Sequence, residues 1–376
     1  MAPGGRWDVG VLGATGLVGQ QIVRRLEGHP WFRTCWLGAS ERSAGARYGE
    51  LPWLLSEARP KSVDGLLVER ATPGQAPRLL FSALDASAAG EIETAFAKAG
   101  HIVVSNARSH RLAPDVPLLV PEVNPSHLAL LEAQRRKRRW QGAIVTNPNC
   151  STAFLVMVLA ACREFRPRRV VVTTLQAISG AGYPGLPSWD VMGNVIPFID
   201  GEEEKIQVET AKILGTLDGD TVDDDPIAVS AQATRVPVAD GHTEAISIEF
   251  DRPPSQAALV EALARFSGRP QQAGLPSAPR SPIEIVSGRD RPQPRLDLAR
   301  GDGMTVSVGR VRPCPVLHYR LVALGHNTVR GAAGAALLNM ELLAADGWLE
   351  HPAGAGVRDR QPAVAGRHVT GPGGEA

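Results

Sequence analysis

The sequence predicts a two-domain α/β protein. A doubly wound domain on a parallel sheet is followed by an α+β domain whose sheet is mostly antiparallel. Two observations predict it. Up to about residue 149, short apolar runs alternate with helical stretches, the texture of a parallel sheet with crossover helices. Beyond Cys150 the apolar runs are rich in β-branched residues and follow one another with few helices between. A length of 376 residues with 43% hydrophobic side chains is enough for two cores.

In order, residues 7–12 read as a short buried strand, followed by a glycine-rich turn and a helix to about Leu26. Residues 35–39 form the second strand. Runs at 79–82 and 102–105 are further strands with a helix over 92–99 between them, and 118–121 and 143–146 continue the sheet. In the second half, 170–175, 228–236, 245–250, 283–286 and 305–311 are strand-like, with a helix over 202–214 on one face. Residues 252–254 and the Pro/Gly/Ala-rich 267–282 read as linkers or exposed loops. Residues 328–343 form a last helix. Its opening small residues (Gly331 to Ala336) allow close packing, and it is expected to fold back onto the first domain. From about His351 the chain is Gly, Pro, Ala and Arg, the composition of a disordered tail. The expected division is a nucleotide domain over 1–149 completed by the helix at about 325–350, a second domain over 150–324, and a tail over 351–376.

Lys plus Arg number 40 and Asp plus Glu 39, so the net charge of +1 gives no reason to expect nucleic acid or an anionic membrane as partner. The basic cluster at 135–139 reads as a solvated helix end. Four scattered cysteines make neither a disulfide framework nor a metal site, so no metal is expected. With no secretory pattern and no apolar stretch of about 20 residues, a soluble cytoplasmic protein is expected.

The glycine loop carries the first chemistry. Gly13-Ala14-Thr15-Gly16-Leu17-Val18-Gly19 follows a strand and opens a helix. Glycines there let the backbone turn tightly and approach a pyrophosphate, which the helix N-terminus holds: a Rossmann-type dinucleotide site. At the end of the second strand stand Ser40, Glu41, Arg42 and Ser43. Ser40, Arg42 and Ser43 suit a 2′-phosphate and favour NADP; Glu41, one residue away, is the acidic side chain an NAD site would use.

Cys150 follows the turn Thr146-Asn147-Pro148-Asn149 and opens an apolar helix. A thiol at a helix start meets free N–H groups and the positive end of the dipole, so its pKa is expected to fall. A lone cysteine is more often a small buried hydrophobe; the residues around this one argue for chemistry. His242 stands at a strand start beside the Asp240-Gly241 turn, placed to act as general acid and base. Arg235, seven residues earlier, offers a fork for a carboxylate. Glu202 and Lys205 are i,i+3 neighbours on one helix face, a spacing that on its own describes a solvated helix start. The loop from Ser105 to Arg111 follows a strand of the nucleotide domain and carries two arginines, the composition of an anion site. Gln176 ends a strand, and Ser179 and Gly180 follow it in a run of small residues that lets a ligand approach the backbone.

Together and in this order, these motifs, with Val120-Pro121-Glu122-Val123-Asn124-Pro125 and Leu324-Gly325-His326-Asn327-Thr328-Val329-Arg330, resemble the aspartate-semialdehyde dehydrogenase family in its archaeal and fungal branch. The resemblance spans about Val9 to Leu343. It implies NADPH-dependent, reversible reduction of aspartyl phosphate to aspartate semialdehyde and phosphate, a step of lysine, threonine, methionine and diaminopimelate biosynthesis. It implies Cys150 as a nucleophile forming a thioester, His242 as the group that takes and returns protons, and Gln176 as the residue that positions the acyl group. Arg235 and Glu202 would hold the substrate carboxylate and amino group beside Asn149, and Arg111 and Lys205 would bind phosphate. The glycine loop with Ser179, Gly180 and Asn327 would hold the cofactor. A thiolate suits a thioester, and N–H groups at Ser151 and Thr152 would stabilise the tetrahedral oxygen. A homodimer or homotetramer formed through the second domain is implied.

Some positions depart from the family pattern. Thr234 precedes Arg235 where Asn is more usual, Ala233 also differs, and Leu112-Ala113 replaces a more usual Met-Asp pair. Two other activities fit parts of the chain: a malonyl-CoA reductase using the same cysteine, and a non-catalytic NADP-binding sensor. Retention of Glu202, Lys205 and Arg235 favours an amino-acid phosphate over the first, and an intact Cys150 with His242 argues against the second.

Overall fold

The computed structural model describes residues 5–349; the expected tail over 351–376 lies outside them. Six parallel strands form the first sheet: β1 (Trp7–Leu12), β2 (Phe32–Ala39), β3 (Val68–Arg70), β4 (Leu79–Ser82), β5 (Ile102–Ser105) and β6 (Ala143–Thr146). Their spatial order, 3-2-1-4-5-6, is that of a doubly wound dinucleotide-binding sheet. Residues 118–121 do not join it as a strand. Leu118 makes one bridge to Thr146, because the chain turns at Pro121 before a ladder can extend.

Register determines where this sheet can act. Leu12 lies beside Ser82, Ser82 beside Ser105, and Ser105 beside Thr146. The loops leaving β1, β4, β5 and β6 therefore emerge on one edge: the glycine turn, Asp85, the Asn106–Arg111 segment and Asn147–Asn149.

The second sheet holds β7 (Pro167–Gln176), β10 (Ala228–Arg235), β11 (His242–Phe250), β12 (Ile283–Ile285), β13 (Val306–Pro313) and β14 (Tyr319–Gly325), in the order 10-7-11-14-13-12. It is mixed: the three central pairings are antiparallel and the two outer ones, β10 with β7 and β12 with β13, are parallel. A small hairpin, β8 (Thr216–Asp218) and β9 (Thr221–Asp223), follows the helix Glu202–Leu214. Gln176 is in register with Arg235, and His242 with Gly325, so these residues share one end of the sheet.

The helix Cys150–Ala161 joins the domains. Ser151 to Leu159 are all buried, so the helix has no polar face and serves as core for the second sheet. The last helical segment packs on the first domain. Leu337, Leu338 and Met340 lie in one cluster with Val9, Val11 and Phe81. It begins as a π turn (Val329–Ala333) before the α-helix Gly334–Ala345, rather than as one helix from 328. The wide turn brings Gly331 against Cys150, where a Cβ would lie 2.5 Å from the cysteine Cβ.

Residues 267–282, expected as a linker, form a strap on the first domain. Leu275 joins that domain's core, Gly268 lies so close to Glu122 that a Cβ would meet its Cα at 2.5 Å, and Ser277 N–H donates to the buried Glu341 carboxylate. Its prolines and glycines reflect close packing as much as loop chemistry.

Candidate active site

The two sheet ends face each other across a cavity of about 500 Å³. Cys150 lies on its floor with Asn149, Gln176, Glu202, Arg235 and Arg111, and Val18, Ser179, Gly180, Lys205 and Asn327 line its walls. Residues from seven separate stretches of the sequence thus meet in one cleft.

Asn149 caps the Cys150 helix. Its Oδ1 accepts the Ser151 and Thr152 N–H groups at 3.0 and 3.2 Å, and its Nδ2 donates to Glu202 at 2.6 Å. The N–H groups expected to hold a tetrahedral oxygen are therefore already bonded to this cap. Cys150 is half-buried. Burial, and after it the Glu202 carboxylate, push its thiol up to about 12 against the pull of Arg111, the Ser151 N–H and Arg235. The expected fall in pKa is thus overturned, because desolvation outweighs the helix start.

Gln176 Nε2 lies 3.0 Å from Glu202, 3.1 Å from Ser151 Oγ and 3.2 Å from Thr174 Oγ1. Lys205 donates to the second Glu202 oxygen at 2.7 Å. Those partners hold the Glu202 carboxylate below the usual range despite its burial, so it is anionic at neutral pH. Arg235 donates to the Ala177 carbonyl at 2.7 Å and points into the cleft beside Gly180.

His242 is fully buried and stands behind Gly180 rather than on the cavity wall. Its Nδ1 accepts the Ala177 N–H at 3.0 Å, which leaves the hydrogen of the neutral ring on Nε2. That Nε2 has no partner among the described residues and lies 3.1 Å from where a Gly180 Cβ would stand. Burial, then Arg235, lower its pKa to about 3, so the ring is neutral. Gly180 matters here for its size: any side chain would separate this hydrogen from the cleft.

The nucleotide loop fits a bound dinucleotide. Gly13 has φ +73°, and a Cβ there would stand 2.4 Å from the Ala83 carbonyl. The helix Leu17–Leu26 opens from exposed Gly16 with no side-chain cap, so its first N–H groups are left for a diphosphate. Ala14 is buried and its carbonyl accepts the Tyr48 hydroxyl at 2.8 Å, while Thr15, Leu17 and Val18 stay partly open. Ser40, Arg42 and Ser43 lie on the turn after β2, away from the cleft lining. Glu41 beside them is paired with Arg70 at 3.2 Å. Asn327 accepts the Gly241 N–H and donates to Ser179 Oγ, both at 2.8 Å, joining the last helical segment to the two loops that frame His242.

Glu209 was not singled out by sequence. It is buried, accepts Arg111 Nη1 at 2.9 Å, and accepts the Asn149 N–H at 2.5 Å. Lys212, one turn on, donates to the carbonyls of Arg111, Ala113 and Val116. Glu202, Lys205, Glu209 and Lys212 share one helix face, and that spacing was the available signal.

Two family models match the chain: a semialdehyde dehydrogenase NAD binding domain over residues 8–131, and a semialdehyde dehydrogenase dimerisation domain over 159–330. An aspartate-semialdehyde dehydrogenase of Archaeoglobus fulgidus is 47% identical over 90% of this chain and 98% of its own length. One from Methanothermobacter thermautotrophicus is 48% identical over 89% and 98%. The crystal structure of the Candida albicans enzyme with NADP superposes with a TM-score of 0.84 at 41% identity, covering 91% of this chain and 99% of that one.

Proposed function

Because the chain belongs to the aspartate-semialdehyde dehydrogenase family, we propose that the cleft at Cys150 interconverts aspartyl phosphate and aspartate semialdehyde through a thioester on that residue. The observation that carries this reading is the convergence of Cys150, Glu202, Arg235, Lys205 and Arg111 on one cavity below the glycine loop.

NADP is the cofactor; bound as NADPH it supplies the hydride that reduces the acyl group. The chain's residues do the rest. Arg235 takes the substrate α-carboxylate with its unbonded guanidinium nitrogens, and anionic Glu202 takes the ammonium, with Asn149 holding that carboxylate in place. Gln176 orients the acyl carbonyl over the sulfur. The Cys150 thiol attacks the acyl phosphate carbon, the C–O bond to phosphate breaks, and the thiol proton leaves with phosphate between Lys205 and Arg111. Reduction of the thioester puts negative charge on the former carbonyl oxygen. With the Ser151 and Thr152 N–H groups bonded to the cap, His242 Nε2–H, which has no partner among the described residues, is a donor available to that oxygen. Of the two proton roles expected of His242, donation is the one this ring arrangement supports. Acceptance at Nε2 would need hydrogen at Nδ1, where the Ala177 N–H stands. Collapse of the tetrahedral adduct breaks the C–S bond, releases the semialdehyde and leaves the Cys150 sulfur as a thiolate, which takes a proton from solvent to restore the thiol.

The remaining assignments belong to the same reading. Ser40, Arg42 and Ser43 hold the 2′-phosphate; Gly13 to Val18, Ser179, Gly180 and Asn327 hold the rest of the cofactor. Of the described residues, 5–149 with 325–349 form the nucleotide domain, and 150–324 the catalytic and dimerisation domain. Tyr183, Trp189, Met192 and Phe198 of that domain are exposed, Trp189 by 93%, as are Val171 and Leu175 of β7. Such an apolar surface suits a second copy, giving a homodimer or homotetramer. Among the described residues no helix is long and apolar enough to cross a membrane, and we place the enzyme in the cytoplasm.

The test is NADP reduction by purified protein. It should require aspartate semialdehyde and phosphate together, and Cys150→Ala should abolish it while NADP still binds. Turnover without phosphate, or near-normal turnover of the variant, would overturn the mechanism.

A further inference from the structure

The phosphate side of the cleft rests on a carboxylate that has no place in the reaction as derived so far. Arg111 is fixed at both ends of its guanidinium: Nη1 donates to Glu209 Oε1 at 2.9 Å and Nη2 to the Asn106 carbonyl at 2.8 Å. The other Glu209 oxygen, Oε2, accepts the Asn149 N–H at 2.5 Å, on the residue that precedes Cys150 and caps its helix. One buried side chain thus spans the loops after β5 and β6 and ties the anion-binding arginine to the residue beside the nucleophile. Beneath it, Lys212 gathers the carbonyls of Arg111, Ala113 and Val116 at 2.7, 2.8 and 3.0 Å, so the backbone bearing Arg111 is held as well.

We propose that Glu209 is a positioning residue for phosphate: it sets the direction in which Arg111 meets the anion and fixes that anion's distance from Cys150. This rests on the reading of Arg111 and Lys205 as the phosphate site. A carboxylate is required by the donor pattern. Arg111 Nη1–H and the Asn149 N–H both donate, so two acceptor oxygens are needed at once. A glutamine supplies one oxygen and one NH2, and whichever way it turns, an N–H faces an N–H. Glu209 also offsets the charge of a guanidinium that is 8% exposed, without which Arg111 would be a buried, unpaired cation.

The experiment is a double-mutant cycle in semialdehyde oxidation, using inorganic phosphate as the varied ligand. Glu209→Gln should raise KM for phosphate about tenfold or more, the scale of one charged hydrogen bond, with KM for NADP changed by less than about twofold. Arg111→Ala should raise it further, and the double variant should match Arg111→Ala alone, because Glu209 acts on phosphate through Arg111. Glu209→Asp keeps the charge but is one methylene shorter; it should fall between wild type and Glu209→Gln and provides the test if the glutamine variant does not fold. Additive effects on KM for phosphate in the cycle, or equal losses for phosphate and NADP, would overturn the proposal. A wild-type enzyme that shows no phosphate dependence would instead overturn the reading of the reaction.

Discussion

Gly331 stands directly against Cys150: a Cβ on the glycine would lie 2.5 Å from the cysteine Cβ and 3.0 Å from its Cα. The last helical segment thereby sets the position of Cys150 from behind, and the π turn at Val329–Ala333 is the local distortion that brings it there. Gly331→Ala is expected to cost about 1–3 kcal/mol through overpacking, and to lower kcat by about tenfold or more as Cys150 is displaced. Thermal unfolding and steady-state kinetics check both. A variant with wild-type kcat would mean that the contact has no bearing on the thiol.

Two charges of opposite sign bias the Cys150 thiol, so two substitutions should move its reactivity in opposite directions. Glu202 raises its pKa and Arg235 lowers it. At pH 8 the thiolate is a minor species, and its amount scales with the shift in pKa. Glu202→Gln should therefore speed alkylation of Cys150 by iodoacetamide, by about threefold or more, and Arg235→Gln should slow it. Mass spectrometry of the Cys150 peptide separates this signal from the half-buried Cys35 and Cys314. Changes of the same sign in both variants would contradict the electrostatic assignment.

Much of this site could be read from one-dimensional pattern, because its chemistry sits where local sequence dictates backbone. The glycine turn, the helix start at Cys150 and the Asp240-Gly241 turn before His242 are local features, and each stands at a sheet end as expected. The parts that escaped depend on distant partners. Glu209 reads as one more charge on an exposed helix until Arg111, 98 residues away, meets it. The Ser151 and Thr152 N–H groups look free until the Asn149 side chain takes them. Residues 319–325 hold only two strand formers, Tyr319 and Val322, among Arg, Leu, Ala and Gly, and become β14 by lying between β11 and β13. The strap over 267–282 has loop composition, but Leu275 and Ser277 find partners on the first domain and hold it down.

Cofactor choice turns on the loop after β2. Ala39 is in register with Arg70, which places the Arg70 guanidinium beside Glu41 at 3.2 Å. The Glu41 carboxylate, which would repel a 2′-phosphate, is thus paired, and we propose that Arg42 faces that phosphate. Arg42→Ala should raise KM for NADP about tenfold or more and leave KM for NAD nearly unchanged. Equal losses with both cofactors would remove Arg42 from the 2′-phosphate site.

The two motifs around Glu122 and Arg330 meet as a buried bidentate ion pair, with distances of 2.8 and 2.6 Å and side chains at most 1% exposed. The pair joins the segment after β5 to the residue before Gly331. Removing one partner leaves a buried charge. Glu122→Gln is expected to destabilise the fold by about 3–5 kcal/mol, read from the urea midpoint. The double substitution Glu122→Leu with Arg330→Met should recover most of that loss; failure to recover would mean that the pair's geometry, beyond its charge balance, is required.

Glu93 offers a stability test with a definite sign. It lies under the edge of the first sheet that bears the cleft loops, fully buried, where one oxygen accepts the Ser82 and Ser105 hydroxyls at 2.6 Å each. Burial raises its carboxyl from the ordinary 4.5 to about 7, against those hydroxyls and Arg111. In the unfolded chain it ionises near 4.5, so between that pH and about 7 the folded state holds the extra proton. Stability from this group is fully present below pH 4.5, is lost as pH rises to about 7, and stays lost above. At about 1.4 kcal/mol per unit, the loss has an upper bound of about 3.5 kcal/mol. Glu93→Gln is neutral throughout and keeps the shape. Its stability relative to wild type should rise between pH 4.5 and 7 and level off above, measured by urea unfolding across that range. A difference that does not vary with pH would show that Glu93 is ionised in the folded protein at every pH tested.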